Sequence, residues 1–200
     1  MGATSDWNDP TNWSPAGVPD ATNCVIIPDT YSANIASGID GDAYNLNVQN
    51  GGTLDVQPTA TVTVQNFVDV DATGAFTIES EGSLIQVQDQ AHVDYVANTG
   101  NIDMKRTANI RKLDYVFWSS PVANFPVTSI SPGTSTSVIW NWNPTVAANT
   151  NGFGIWQNTT ENMIDGKGYI VRGPDAFTTA FQNYTATFNG VPNNGTVTRT

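Results

Sequence analysis

The chain has 200 residues, 39% of them hydrophobic, which is enough for the core of one large domain or two small ones. Charged residues make up only 12%, and 18 acidic against 7 basic side chains give a formal net charge of -11. Such a charge repels nucleic-acid phosphates and anionic membranes, and no apolar run reaches the roughly 18 residues of a membrane span. Abundant Asn, Thr, Gly and Ser are typical of a β-rich extracellular protein.

Residues 6–20 are rich in turn-forming residues and include Trp7 and Trp13. A segment of this kind, without regular strands, is typical of a cap whose indoles cover the open end of the structure that follows. Stacking of the two indoles on a ligand is the alternative. Val25-Ile26-Ile27 then predicts the first buried strand, which ends at Pro28.

The lone Cys24 excludes an intrachain disulfide and is predicted to be a small buried hydrophobe. The single histidine, His92, has no evident partner for nucleophilic chemistry. Residues 29–45 predict a less regular coil, with Ile35 and Ile39 pointing inward.

Residues 46–87 contain one pattern twice. Gly52-Thr53-Leu54-Asp55-Val56 is followed 22 residues later by Gly74-Ala75-Phe76-Thr77-Ile78, and Ala60-Thr61-Val62 by Gly82-Ser83-Leu84. Each pass contains three short segments in which apolar and polar residues alternate, so alternate side chains point to opposite faces of a strand.

A single pass of three strands cannot bury its inward face alone, but stacking successive passes places Leu54 against Phe76 and Val62 against Leu84. Coils of about 20 residues indicate a parallel β-helix, since helical repeats have periods of about 33 to 47 residues. An antiparallel sandwich of short strands is the alternative interpretation.

Beyond residue 87 the pattern loosens. Residues 91–96 and 100–104 still alternate and are predicted to form the last coil. Four of the seven basic residues then gather in one short span, at Lys105, Arg106, Arg111 and Lys112, which predicts a boundary between an acidic solenoid and a second module.

From Tyr115 onward, short strands alternate with Asn-, Pro- and Gly-rich connections. Trp140 and Trp142 alternate with Asn141 and therefore share one side of a strand, where burial in a small core is expected. Phe117 and Trp118 point in opposite directions, so one of them is expected in the core. The predicted strands lie at residues 115–122, 137–144, 154–156, 168–173 and 184–190, with another beginning at 196–198 and continuing beyond the chain.

Three groups of residues are candidates for a binding or catalytic site. Acidic residues recur along the coils at Asp69, Asp71, Glu79, Glu81, Asp89 and Asp94, where a calcium or catalytic cluster is weighed against a solvated acidic face. Threonines 59, 61 and 63 alternate, but a flat crystal-binding ladder is broken by Glu81 and Ile85 on the next coil. The tryptophans, including Trp140, Trp142 and Trp156, are the best candidates for contact with sugar rings.

The segment Thr4 to Ser14, with Val18-Pro19 and Val25-Ile26-Ile27-Pro28, resembles the opening of large secreted surface proteins of Flavobacteria and related Bacteroidetes. Residues 51–56 resemble their β-helical section, and residues 115–122, 166–174 and 188–195 are similar to the block that follows it. The resemblance implies export by the type IX secretion system, a cell-surface or released product and adhesive modules. It implies no catalytic residues.

These observations predict an all-β protein, with a capped right-handed parallel β-helix (solenoid) over residues 1–108 and a small β-sandwich-like module over 109–200. The predicted function is a structural or adhesive segment of a secreted bacterial surface protein, acting as a rigid spacer or adhesin module. We expect no enzyme activity and no catalytic, cofactor or metal residues. Expected partners are surface glycans, other cell-surface proteins and further domains of the same polypeptide. The alternatives are a carbohydrate-binding module and a non-catalytic fragment of a polysaccharide-degrading enzyme.

Overall fold

The computed structural model describes residues 4–146 and 154–198. The chain divides into two compact units, residues 1–106 with 189–196 and residues 107–188 with 197–200. The chain passes from the first unit to the second within the strand Ile102–Ile110 and returns within the strand Gln182–Gly190. No helix in the described residues is long and apolar enough to cross a membrane.

The first unit is a parallel β-solenoid of about four turns, three of them complete. Each complete coil contributes one strand to each of three parallel sheets, in which the strands follow one another in coil order. The strands of the three complete coils are β1 Cys24–Ile27, β2 Ser32–Ile35, β3 Asp40–Ala43, β4 Asn45–Val48, β5 Thr53–Val56, β6 Thr61–Val64, β7 Val68–Val70, β8 Ala75–Ile78 and β9 Ser83–Gln86.

The predicted register of the two repeated coils is confirmed. Leu54 pairs with Phe76, and Val62 pairs with Leu84, both in parallel strands. Along β5 the burial alternates, with Leu54 and Val56 inaccessible to solvent and the alternate residues Thr53 and Asp55 half-buried. The antiparallel sandwich is therefore wrong for this stretch, because every pairing between complete coils is parallel.

The first coil is regular, contrary to the prediction for residues 29–45. All three of its strands pair in full register with the next coil, at an offset of 21 residues. The pattern was hidden because the inward positions of β3 are Gly41 and Ala43, which are too small to give an apolar signal. Ile35 is buried as predicted, whereas Ile39 lies half-buried in the turn before β3.

The small residue at Gly41 leaves space for the cap. Trp7 is only 1% exposed, and its backbone N–H donates to the carbonyl of Asn34 at 2.9 Å. A Cβ added at Gly41 would lie 3.0 Å from Cε2 of the Trp7 indole. The indole N–H of Trp13 donates to the Trp7 carbonyl at 2.8 Å, and the two rings meet edge to face at 4.9 Å. The predicted capping role of this segment is confirmed.

The last coil differs from its prediction. Residues 91–96 form an exposed turn rather than a strand, with Val93 92% exposed. The buried amide of Asn66 holds this turn, because it accepts from the Val96 N–H at 3.0 Å and donates to the Asp94 carbonyl at 2.8 Å. The fourth turn resumes with β10, Ile102–Ile110, which pairs with β8 at Asp103 and Met104.

Residues 189–196 return to the first unit and are held along its last coil by hydrogen bonds from amide side chains. The Asn194 amide donates to the Gln88 carbonyl at 2.8 Å, and the Asn98 amide donates to the Pro192 carbonyl at 2.9 Å. The strand predicted to begin at 196–198 is absent: these residues have no regular secondary structure.

The second unit contains a four-stranded antiparallel sheet with the order β11-β14-β12-β13. Its strands are β11 Tyr115–Trp118, β12 Ile139–Asn143, β13 Ile155–Asn158 and β14 Tyr169–Arg172, and β15 spans Gln182–Gly190. Of the neighbours Phe117 and Trp118, one was expected in the core, and Trp118 is the buried one. Its ring lies 5.9 Å from the ring of Phe188. The ring of Phe125 lies 4.9 Å from the same Phe188 ring.

Gly100 fixes the start of the fourth turn, which gives a test of coil stacking. Gly38 and Gly100 have nearly the same φ, +75° and +73°, but a Cβ at Gly100 would lie 1.8 Å from the Val70 carbonyl oxygen, whereas Gly38 has open space around it. We expect Gly38→Ala to lower the free energy of unfolding by about 1–2 kcal/mol, the strain of a left-handed residue. Gly100→Ala adds a backbone clash and should lower it clearly more.

The measurement is urea denaturation of both variants, followed by far-UV circular dichroism. Equal midpoints for Gly38→Ala and Gly100→Ala would contradict the stacking of residue 100 on β7.

Candidate functional site

The two faces of the four-stranded sheet differ sharply in burial. Ile139, Asn141, Tyr169 and Val171 are buried on one face. The alternating positions form the opposite face, where aromatic side chains from three strands remain accessible to solvent. We call this surface the aromatic face; it consists of Tyr115, Phe117, Trp140, Trp142 and Trp156.

Three rings of the aromatic face cluster together. Trp142 and Trp156 are directly opposite in the β12–β13 pair, with ring centroids 5.3 Å apart and planes inclined by 66°. Phe117 lies 6.3 Å from Trp156, inclined by 54°. The exposed fractions are 74% for Phe117, 39% for Trp142 and 42% for Trp156. These rings therefore present apolar surface to solvent at inclined angles.

The burial expected for Trp140 and Trp142 is wrong. The two residues do share a side, as predicted, but it is the outer one, with Trp140 half-buried and Trp142 exposed. The buried positions of β12 are Ile139 and Asn141. Alternation along a strand states which residues share a face, and packing alone decides which face is covered.

A polar cluster explains why an asparagine occupies the buried side. One carboxylate oxygen of Glu161, Oε1, accepts from the amide of Asn141 at 2.8 Å, from the ammonium of Lys167 at 2.6 Å and from the hydroxyl of Tyr169 at 2.9 Å. Lys167 Nζ also lies 5.4 Å from the centre of the Tyr169 ring. We call Asn141, Glu161, Lys167 and Tyr169 the Glu161 cluster.

The electrostatics of Glu161 follow from two opposing effects. Burial raises the pKa of its carboxyl, but the hydrogen bonds from Lys167, Tyr169 and Asn141, with the Lys167 charge, outweigh burial and leave the pKa below its ordinary value. The carboxylate is thus the favoured form in the folded protein. Sequence reasoning missed this cluster because Asn141 is brought to the other three residues only by the pairing of β12 with β14.

The acidic residues of the solenoid do not gather into one site. Asp69 accepts from the Asn47 amide at 2.7 Å and from the Thr99 hydroxyl, while Glu79 forms an ion pair with Lys105 at 2.7 Å. Asp71 accepts the Asn50 backbone N–H at 3.1 Å, and Asp89 accepts the Thr196 hydroxyl at 3.2 Å. Within residues 4–146 and 154–198, no group of three or more His, Cys, Asp or Glu side chains is placed to hold a metal ion.

Two smaller predictions also have clear outcomes. Cys24 is exposed rather than buried, because Val25 and Ile27 take the inward positions of β1. The threonine ladder is broken as expected: Thr61 pairs with Ser83, and Thr63 pairs with Ile85.

The lowered pKa of Glu161 predicts a contribution to acid unfolding. A carboxyl whose folded pKa lies below its unfolded value, near 4.5, stabilises the fold above that value and loses the effect as pH falls through the folded pKa. We expect Glu161→Gln to reduce the urea midpoint of the second unit at pH 7, with the deficit shrinking as the pH is lowered below about 4.5. Midpoints of both proteins, measured by tryptophan fluorescence from pH 7 to about pH 3, give the comparison. A deficit that is constant over this range would contradict the assignment.

No curated protein and no solved structure matches the chain. A family model described as a domain of unknown function, DUF8693, matches residues 1–200, the whole chain. The protein therefore belongs to the DUF8693 family.

Proposed function

We propose that this chain is a structural and adhesive segment of a secreted bacterial surface protein, with the solenoid as a rigid spacer. The observation that carries the proposal is the continuous stacking of coils on three parallel sheets. The proposed role is mechanical, that of a stiff spacer, and involves no chemical reaction. A cell-surface location and export by the type IX secretion system are part of the proposal, suggested by the resemblance of the sequence to Bacteroidetes surface proteins.

The stacking gives a physical reason for stiffness. The backbone hydrogen bonds between coils run along the stacking direction, at a spacing of roughly 4.8 Å per coil. Displacing one complete coil breaks pairings in three sheets at once and exposes inward residues such as Leu54 and Phe76. Solenoids of this kind resist local bending because each coil is held by its two neighbours.

The outward side chains support an extracellular role. They form hydrogen bonds between coils through hydroxyls and amides, such as Thr53 to Ser32 at 2.7 Å and Gln57 to Asn34 at 2.8 Å. Bonds between neutral groups depend little on salt, whereas exposed ion pairs are screened. Such a surface suits a medium of variable ionic strength.

Immunolabelling of intact cells of the source organism tests this proposal. Antibodies raised against the chain should label intact cells, and protease added outside should remove the signal, because the proposed segment lies at the surface. A cytosolic protein serves as the control for lysis. Labelling that appears only after permeabilisation would overturn the surface role.

A second candidate function is glycan binding at the aromatic face, favoured by the exposure of Phe117, Trp142 and Trp156. Indole faces stack on the apolar faces of pyranose rings. The second unit carries no excess charge that would oppose glycan binding. Fourteen of the eighteen acidic residues lie within residues 1–106, whereas residues 107–188 contain four acidic and four basic residues. The inclined ring planes fit successive sugar units of a single chain better than a flat crystalline surface.

Tryptophan variants test the glycan hypothesis. Trp142→Ala and Trp156→Ala should each weaken binding to the oligosaccharides selected on a glycan array by about tenfold or more, since each removes an exposed stacking ring. Phe181→Ala is the matched control, because Phe181 is a 61% exposed aromatic residue of the same unit outside the aromatic face. Unchanged binding in both tryptophan variants would remove this candidate.

A further inference from the structure

The Glu161 cluster places an amine and an amide on the same carboxylate oxygen. Lys167 Nζ and Asn141 Nδ2 lie 2.6 Å and 2.8 Å from Glu161 Oε1, so the two nitrogens are separated by no more than the sum of these distances. Tyr169 donates to the same oxygen and fixes its position. A lysine, an asparagine and a bridging glutamate are the three groups required for amide exchange between two side chains.

The strand pairing holds these groups together. Asn141 of β12 pairs with Tyr169 of β14, and Lys167 lies two residues before Tyr169, in the turn that leads into β14. Diagonal neighbours of this kind are within reach of a long side chain. Asn141 is only 6% exposed and Tyr169 is fully buried, so the amide carbon lies in a largely water-free environment.

We propose that Lys167 and Asn141 form an intramolecular isopeptide bond, with Glu161 as the proton carrier. The neutral Lys167 amine attacks Cγ of Asn141 and forms a new C–N bond, and the C–Nδ2 bond breaks. Glu161, which has already accepted one proton from the Lys167 ammonium, donates that proton to the leaving amide nitrogen and takes a second proton from the attacking lysine nitrogen. The leaving group carries this second proton away as ammonium. No oxidant, reductant or cofactor is needed, and the carboxylate is regenerated.

The starting state is the ammonium–carboxylate pair, so the reaction begins from the minor population in which Glu161 has accepted a proton from Lys167. Such a step is slow, but it has to occur only once in the life of each molecule. Loss of ammonia to solvent then makes the bond permanent. The buried Asn141 and Tyr169 shield the amide carbon from water, and three positioned groups replace a random encounter.

The bond would close a covalent loop from Asn141 to Lys167 that contains β13. This cross-link limits the separation of β12 and β14 when the second unit is pulled or thermally unfolded, which suits an adhesive role. The inference does not depend on glycan binding or on location at the cell surface, since it concerns only the chemistry of four side chains.

Intact-mass spectrometry of the purified full chain tests the proposal. The wild-type protein should be lighter than its sequence mass by one ammonia molecule, and a digest should contain a branched peptide that joins Asn141 to Lys167. Lys167→Arg keeps the positive charge and the contact with Glu161 but provides no lysine amine, and it should have its full sequence mass. Glu161→Gln should also remain at full mass.

Asn141→Asp separates this bond from other losses of ammonia. An aspartate at 141 would condense with Lys167 by losing water instead, so the mass deficit should become that of one water molecule. Ring closure at an Asn-Gly pair such as Asn50-Gly51 also releases ammonia, but that deficit would persist in Lys167→Arg. A wild-type chain at full sequence mass after prolonged incubation, or a deficit unchanged in Lys167→Arg, would overturn the proposal.

Discussion

The structure depends on the register with which one coil lies on the next. Because side chains alternate along each strand, a slip of one residue between β5 and β8 would move Leu54 and Phe76 from the interior to the surface. Equal or nearly equal coil lengths, offset by 21 and then 22 residues, keep all three sheets in phase at once. The longer offset of 30 residues at the Asp69–Thr99 bridge is tolerated because the additional chain forms the turn held by Asn66. The inward side chains therefore stay stacked from coil to coil even where an additional turn lies on the surface.

Stacked coils leave edges that the protein must protect. At the first edge, Trp7 covers the interior, and the space for its indole exists because β3 contributes a glycine, Gly41. The outward positions of β3 are Asp40 and Asp42, whose charges oppose the pairing of this strand with another chain. At the last coil, the Asn98 amide donates to the Pro192 carbonyl, and the Asn194 amide donates to the Gln88 carbonyl in the loop after β9. These bonds hold residues 189–196 against the coil. Both ends therefore use features that the repeat itself does not contain.

This division explains what the sequence could predict. The repeated coils were predicted down to individual pairs, since Leu54 and Phe76 carry an apolar pattern that only one stacking satisfies. The first coil was underestimated because its inward residues are small, and residues 91–96 were overestimated because alternation continued without a partner to bury it. The outer placement of Trp142 and the Glu161 cluster depend on pairing between strands that are distant in sequence. No local periodicity records such contacts.

Stacking also constrains which side chains can point outward from the coils. Equivalent outward residues of successive coils lie roughly 4.8 Å apart, so a column of like charges would repel strongly. One such column on the solenoid surface contains Asn34, Asp55, Thr77 and Asp103, in which a neutral residue separates the carboxylates.

Asp55 shows the effect of a neighbouring charge on a carboxyl in this column. Its pKa is raised by burial and by the nearby charge of Glu79, and Lys105 partly offsets the increase. Lys105 also neutralises Glu79 directly, at 2.7 Å. In this column, an amide, a hydroxyl and one cation therefore separate or neutralise the carboxylates. The neutral residues at Asn34 and Thr77 fit that electrostatic requirement.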